Sequence, residues 1–413
     1  MRFAFSLLLI LASLKLSLGH NGSGDDGDGH EDDRCTVVAK GPGVDDSPHL
    51  LSAVHACSTI NIPATTTLNI STRMNMTGLH NKHIELQGTL RFNPDIPYWS
   101  GNGFSFPFQT QITFWILGGK NIVLTGGGTL DGAGQAWYDA FASNSSLLRP
   151  ITMTIFQATN VLVKNIKMIN SPEWFNLVNE GKNVTFENID INAVSTSVHG
   201  PSNTDGWDIY RSDQVTIKNS VINNGDDCVS FKHRCNLNVY ADSTNILVSN
   251  LNCNGSHGIS VGSLGQFAGM FDIVENVTST NIKMSNAQNG ARIKCWAGPN
   301  VGSGIVKNVT FENFSELNVD NPVVIDQVNM TNATACAQFP SNTFIQDVLF
   351  TDITGTSSGP LVASLACSPD GRCSNIEVEN FNLYAPTGPP KFTCQNVDLT
   401  GNAASLFPVC TIT

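Results

Sequence analysis

The chain has 413 residues, of which 14% are charged and 41% hydrophobic, and its formal net charge is −12. That length supports a large core, and the acidic balance gives no bulk attraction to nucleic acid or an anionic membrane, so neither is expected as a partner. A polyanionic substrate would need cations gathered at one place.

In chain order, residues 1–19 read as a signal peptide. Arg2 precedes an apolar run from Phe3 to Leu14, and Ser17 and Gly19 stand at −3 and −1 of a cut before His20. The run is too short to span a membrane. Removing it takes away Arg2 and Lys15 and moves the net charge from −12 to −14. Residues 20–34 form an acidic low-complexity tail without the ordered ligands of a calcium loop. Residues 35–413 are expected to form one domain of a secreted, extracellular and monomeric protein. Eleven cysteines suit an oxidising compartment. Sequons at Asn69, Asn75, Asn144, Asn183, Asn254, Asn276, Asn308, Asn313, Asn329 and Asn332 are glycosylation candidates.

Cys35 and Cys57 bracket a short helix-like stretch that can close one end of the fold. Phe92 to Trp115 is rich in aromatics: Trp99, Phe104, Phe106, Phe108 and Trp115. From about residue 120 the pattern Asn-aliphatic-x-aliphatic-x-Asn-aliphatic recurs, with starts at 160, 183, 214, 245, 276, 308, 347 and 375. Each unit alternates apolar and polar residues, as a strand with one buried face does. Units this short bury their apolar face only by stacking. The expected fold is therefore all-β, a right-handed parallel β-helix, with the asparagines stacked as ladders inside it. A propeller would need four strands per repeat in longer, more regular units. Cys228 and Cys253 fall in neighbouring coils, and Cys367 with Cys373 and Cys394 with Cys410 are local pairs. These six, with Cys35 and Cys57, are disulfide candidates, leaving Cys235, Cys295 and Cys336.

Four stretches carry the chemistry: Asn203-Thr-Asp-Gly-Trp-Asp208, Gly225-Asp-Asp-Cys228, Ser256-His-Gly258 and Arg292-Ile-Lys294. Asp205 to Asp226 spans 21 residues, Asp227 to His257 spans 30, and His257 to Arg292 spans 35, in step with the repeat. Coil stacking would put all six groups on one face. Crowding Asp205, Asp226 and Asp227 lets at least one stay protonated, as a glycosidase acid requires. His257 can hydrogen-bond one of them. Arg292 and Lys294, two apart on a strand, face the same side and suit a uronic-acid carboxylate. Each stretch alone is a weak signal, since an Asp-Asp pair is usually a solvated turn. Their joint occurrence in register is what counts.

With these four motifs in order, the chain resembles the polygalacturonase family of pectin-degrading glycoside hydrolases over nearly everything after the tail. The resemblance implies hydrolysis of polygalacturonate with inversion, and neither metal nor cofactor. It implies Asp226 as general acid, Asp205 and Asp227 together holding and deprotonating the water, and His257 supporting the proton network. Asn203, Arg292 and Lys294 would bind substrate. The motif contexts and the aromatic segment resemble the fungal exo-acting members, the segment being a wall that admits only a chain end. The alternatives within this chemistry are an endo-polygalacturonase or a xylogalacturonan hydrolase. Outside it stand a calcium-dependent pectate lyase and a non-catalytic pectin binder.

Three departures from the family pattern stand out. A Tyr expected after the Ile325-Asp-Gln327 strand is replaced by Val328-Asn329. Residues 233–242 are inserted between Lys232 and Ser243. Cys295 puts a thiol beside the binding strand.

Overall fold

Asparagine tolerates the left-handed backbone conformation better than other side chains, because its short amide bonds locally. The computed structural model, which describes residues 34–232, 243–329 and 333–413, uses this repeatedly. Both asparagines of a repeat sit at positive φ: 54° and 56° at Asn183 and Asn188, 56° at Asn245 and Asn250, 58° at Asn276 and Asn281. Each such residue turns the chain through a corner, so a spacing of five leaves a short flat face between two corners.

Between corners the strands pair in parallel with the next coil. Val161, Val184, Val215, Ile246, Val277, Val309, Val348 and Ile376 stand in one unbroken register line. All eight are buried. The result is a right-handed parallel β-helix with coils about 4.8 Å apart.

The ladders differ from expectation in place. Asn160 donates to Asn121 and Asn183 to Asn160, each at 2.9 Å, on exposed corners rather than in the interior. A left-handed corner turns its side chain outward, and a dry interior is filled at lower cost by apolar groups. Inside stand aliphatic stacks and rings such as Phe311 on Phe350, 5.1 Å apart.

The helix Ser47–Ala56 covers the N-terminal end with Leu50, Ala53 and Val54 buried, and Cys35 is bonded to Cys57 beside it. Cys367–Cys373 and Cys394–Cys410 bridge the other end. The first strand, Arg34–Thr36, begins one residue inside the segment expected to be tail. Among the described residues no helix is long and apolar enough to cross a membrane. The signal peptide 1–19, the tail up to residue 33, the insertion 233–242 with Cys235, and the sequon at Asn332 lie outside the described residues, as do the side chains of Val328 and Asn329.

One sheet of the coil positions the site. Its strands include Asn176–Asn179, Trp207–Tyr210, Val229–Lys232, Ile259–Leu264 and Asn289–Trp296. The first three are buried on both faces, with the aromatic segment packed over Leu177 and Tyr210 of the first two. Trp99 and Trp115 join the main core, while Phe106 and Phe108 pack with Trp174 and Tyr210 in a second cluster. Phe108 stacks on Tyr210 at 4.2 Å. The aromatics are anchors, and the polar residues between them face the cleft.

Candidate active site

The turn before Val229–Lys232 presents two adjacent aspartates because its backbone is clamped. Asn224 Nδ2 donates to the carbonyls of Thr204, Asp226 and Asp227, and Gly225 N donates to Thr204 Oγ1 at 2.9 Å. Position 225 must be glycine, since a Cβ there would lie 1.9 Å from Pro201 O. The register Trp207↔Val229↔Ile259 then aligns Asp205, Asp227 and His257 on three successive coils.

Asp205, Asp226 and Asp227 each offer a carboxylate oxygen within 4.8 Å of the others. Only Asp226 reaches the cleft appreciably, with its side chain 17% exposed against 1% for Asp227. Asp226 Oδ1 lies 3.1 Å from His257 Nδ1 and accepts from Asp227 N, and its Oδ2 accepts from Asn203 Nδ2 at 3.2 Å. Asp227 accepts from Ser260 Oγ at 2.6 Å and from Lys294 Nζ at 2.7 Å. Lys294 reaches it from two coils away, past Gly262, where a Cβ would stand 2.1 Å from Lys294 O.

Asp205 and Asp226 differ in proton affinity. Burial, and then the charges of Asp208 and Asp226, push Asp205 well above the usual carboxylate range. Burial acts upward on Asp226 too, but the His257 hydrogen bond and the charges of His257, Lys294 and Lys232 outweigh it and hold Asp226 at about 2. His257 is raised in return, chiefly by that hydrogen bond.

A cavity of about 480 Å³ opens over the three carboxylates, lined also by Gln109, Gln111, Arg149, Glu173, Trp174 and Trp296. Gln109 in the wall donates to Gln266 at 3.1 Å and bridges one side of the mouth.

Residues 53–405 match the family described as Glycosyl hydrolases family 28. The chain belongs to that family. It is 45% identical over 387 residues to an exopolygalacturonase of Cochliobolus carbonum, covering 90% of this chain and 85% of that protein. It is 44% identical over 384 residues to exopolygalacturonase X of Aspergillus niger, covering 89% and 86%. Among solved structures it superposes on an endo-xylogalacturonan hydrolase from Aspergillus tubingensis with a TM-score of 0.82 and 32% identity, covering 92% of this chain and 99% of that one.

Of the expected site residues of this family 28 chain, His257 and Arg292 are not in the cavity lining; His257 is still held to Asp226, and Arg292 has no such tie. Lys294 lines the cavity and Arg292 does not. Arg292 stands in register with Ser260, half-buried, and its Nε is sheltered without a hydrogen-bond partner among the described residues. Cys295 points the other way, fully buried, and burial pushes its thiol up to about 12, so it is no site nucleophile. Cys228–Cys253 bridges the coil directly behind Asp227.

Three oxygens this close could ligate a cation, and two lysines already offset part of their charge. Lys294 neutralises Asp227, and Lys232 Nζ lies 3.6 Å from Asp205 and 2.9 Å from Asp208. Asp208 ends the first motif stretch and Lys232 lies four residues beyond the second, and neither is among the six groups expected on the face. Arg149 and Glu173 lie outside every motif. The available signal was an ionisable residue in an otherwise apolar strand, Trp-Asp-Ile-Tyr or Val-Ser-Phe-Lys. Such a residue needs a buried partner.

Proposed function

We propose that this chain is a secreted exo-polygalacturonase, hydrolysing α-1,4-galacturonosyl bonds of polygalacturonate from a chain end with inversion and releasing galacturonate. The observation that carries this reading is the carboxylate triad, set beside Lys294 and walled by the 109–111 and 141–149 segments. Relatives at 42–45% identity bear exopolygalacturonase names, whereas the xylogalacturonan hydrolase stands at 32%.

In this reading Asp226, the most open carboxyl, protonates the leaving oxygen. Its proton is stored on His257: an imidazolium beside a carboxylate holds the same single proton as a neutral imidazole beside a carboxylic acid. A bound galacturonate carboxylate that takes up the Lys294 charge favours the second form. Asp205 and Asp227 hold the attacking water between them. Two hydrogen bonds of about 2.8 Å span roughly 5 Å, which fits oxygens within 4.8 Å of one another. Asp227, ion-paired with Lys294, receives the water's proton, and Asp205 orients the molecule. That separation is shorter than the roughly 6.5–9.5 Å usual for inverting enzymes, so inversion rests on family membership and not on spacing. Asn203 orients Asp226 and contacts the substrate. Lys294 binds a galacturonate carboxylate, and Arg292 contributes from the rim.

Secretion is read from residues 1–19 and agrees with four disulfides. The protein is taken as a monomer, and its acidic charge argues against nucleic acid or an anionic membrane as partner. Of the sequons, Asn75 and Asn144 are exposed with side-chain nitrogens outside the ladders, which favours them as glycan sites. Asn183, Asn254, Asn276, Asn308 and Asn313 each donate within a ladder.

The test is a time course on unsubstituted polygalacturonate, with the released sugar's anomer read by proton NMR. Monomer from the first minutes, as the β-anomer, supports the reading. Early oligomers with a fast viscosity drop indicate endo cleavage, and faster turnover of xylosylated substrate indicates a xylogalacturonan hydrolase.

A further inference from the structure

On the side of the earlier coils the cavity is lined by Phe141 and residues 145–149, and an ion pair stands there. The register Asn176↔Trp207↔Val229 sets Glu173 in line with Thr204 and Asp226, two coils away from the acid, or about 10 Å. Glu173 lines the cavity and is only 9% exposed. Its Oε2 lies 3.1 Å from Arg149 Nε, and Gln111 of the wall hydrogen-bonds its carboxyl.

Arg149 is held from several sides. Its Nη1 donates to Pro172 O and Ser202 O, its Nη2 donates to Asn203 Oδ1, and its plane lies 3.6 Å from the centre of the Phe141 ring. The guanidinium therefore fixes Glu173 on one side and Asn203, which touches Asp226, on the other. A buried carboxyl carried by so rigid a frame, facing a cavity, is a costly arrangement for packing alone.

We propose that Glu173 is a specificity-determining residue that reads the chain end, its carboxyl accepting the free hydroxyl that only the terminal sugar of a 1,4-linked galacturonan carries. An internal sugar has no such hydroxyl. Its linking oxygen continues into another anionic ring, which would meet the Glu173 carboxyl and the Phe141–Leu148 wall. The distance of two coils from Asp226 leaves room for one sugar between the reader and the acid. This rests on the chain-end reading above.

The experiment compares kcat/KM for trigalacturonate with that for the same trimer bearing a 4,5-unsaturated terminal ring, which lacks the hydroxyl. The intact enzyme is expected to prefer the saturated trimer roughly 10- to 100-fold. Glu173→Ala should bring that ratio close to one by slowing the saturated substrate, with little change on the unsaturated one. Gln111→Ala, a half-buried change that spares the core, should reduce the ratio severalfold and serves if Glu173→Ala does not fold. A ratio near one in the intact enzyme overturns the proposal, as does an undiminished ratio in folded Glu173→Ala. In either case, continued release of monomer from polygalacturonate would leave the chain-end reading standing. Early oligomers from the intact enzyme would remove that reading and this one together.

Discussion

Lys294 Nζ lies 2.7 Å from Asp227 Oδ2 although the two residues sit two coils apart. Lys294 is thus a partner of the proposed base as well as a group for the substrate. Lys294→Ala should therefore lower kcat as well as raise KM, with kcat/KM falling roughly 100-fold or more. Steady-state kinetics decide this. A change confined to KM would mean that Asp227 works without its cation.

Asp226→Asn keeps the shape of the side chain but removes the proton donor. Turnover should fall by roughly 10²–10⁴, with substrate affinity nearly kept. A rate close to normal would move the acid to Asp205, whose carboxyl is pushed well up by burial and its neighbours.

The pH profile follows from the Asp226–His257 pair. His257 is raised above its ordinary 6.5 in the folded protein. The stabilisation from its protonated form is complete below 6.5 and disappears as pH rises through the raised value. Activity should end over the same alkaline window, because the pair then loses its stored proton. In His257→Gln the chief influence lowering Asp226 is gone, and the alkaline limb passes to Asp226 itself. The limb of kcat/KM should move to lower pH, and the rate at pH 5 should drop about tenfold or more. An unmoved limb would assign it to another group.

Glu316 is buried in the coil interior, both its oxygens lacking a hydrogen-bond partner among the described residues, and burial raises it well above 4.5. The unfolded chain releases this proton near its ordinary value, whereas the folded chain keeps it. Stability must therefore fall as pH climbs from about 4.5 toward the raised value. Melting followed by circular dichroism should show Glu316→Gln gaining more over wild type at pH 7 than at pH 4.5. Equal shifts at both would mean that the folded carboxyl finds a partner.

Cys228–Cys253 closes 25 residues directly behind Asp227. Replacing both cysteines by alanine should cost about 3 kcal/mol and lower Tm by roughly 4 °C. Calorimetry with a thiol count checks this.

The coil was legible because its cause is local. An Asn every five and roughly thirty residues, with β-branched residues between, dictates corners and a stacked apolar face wherever the chain goes. The carboxylate face was legible for the same reason, since Asp205, Asp227 and His257 keep step with the repeat. What lay beyond the sequence depends on partners far apart in the chain. These include the outward turn of the Asn ladders, the Arg149–Glu173 pair, the double engagement of Lys232, and the separation of Arg292 from the cavity. Periodicity places a residue on a face. It does not say which neighbour is within 3 Å, because that depends on coil registry and on a wall folded back over the sheet from residues 104–113. For the same reason the identity of the most open carboxyl, Asp226, emerged only once burial had set three chemically identical side chains apart.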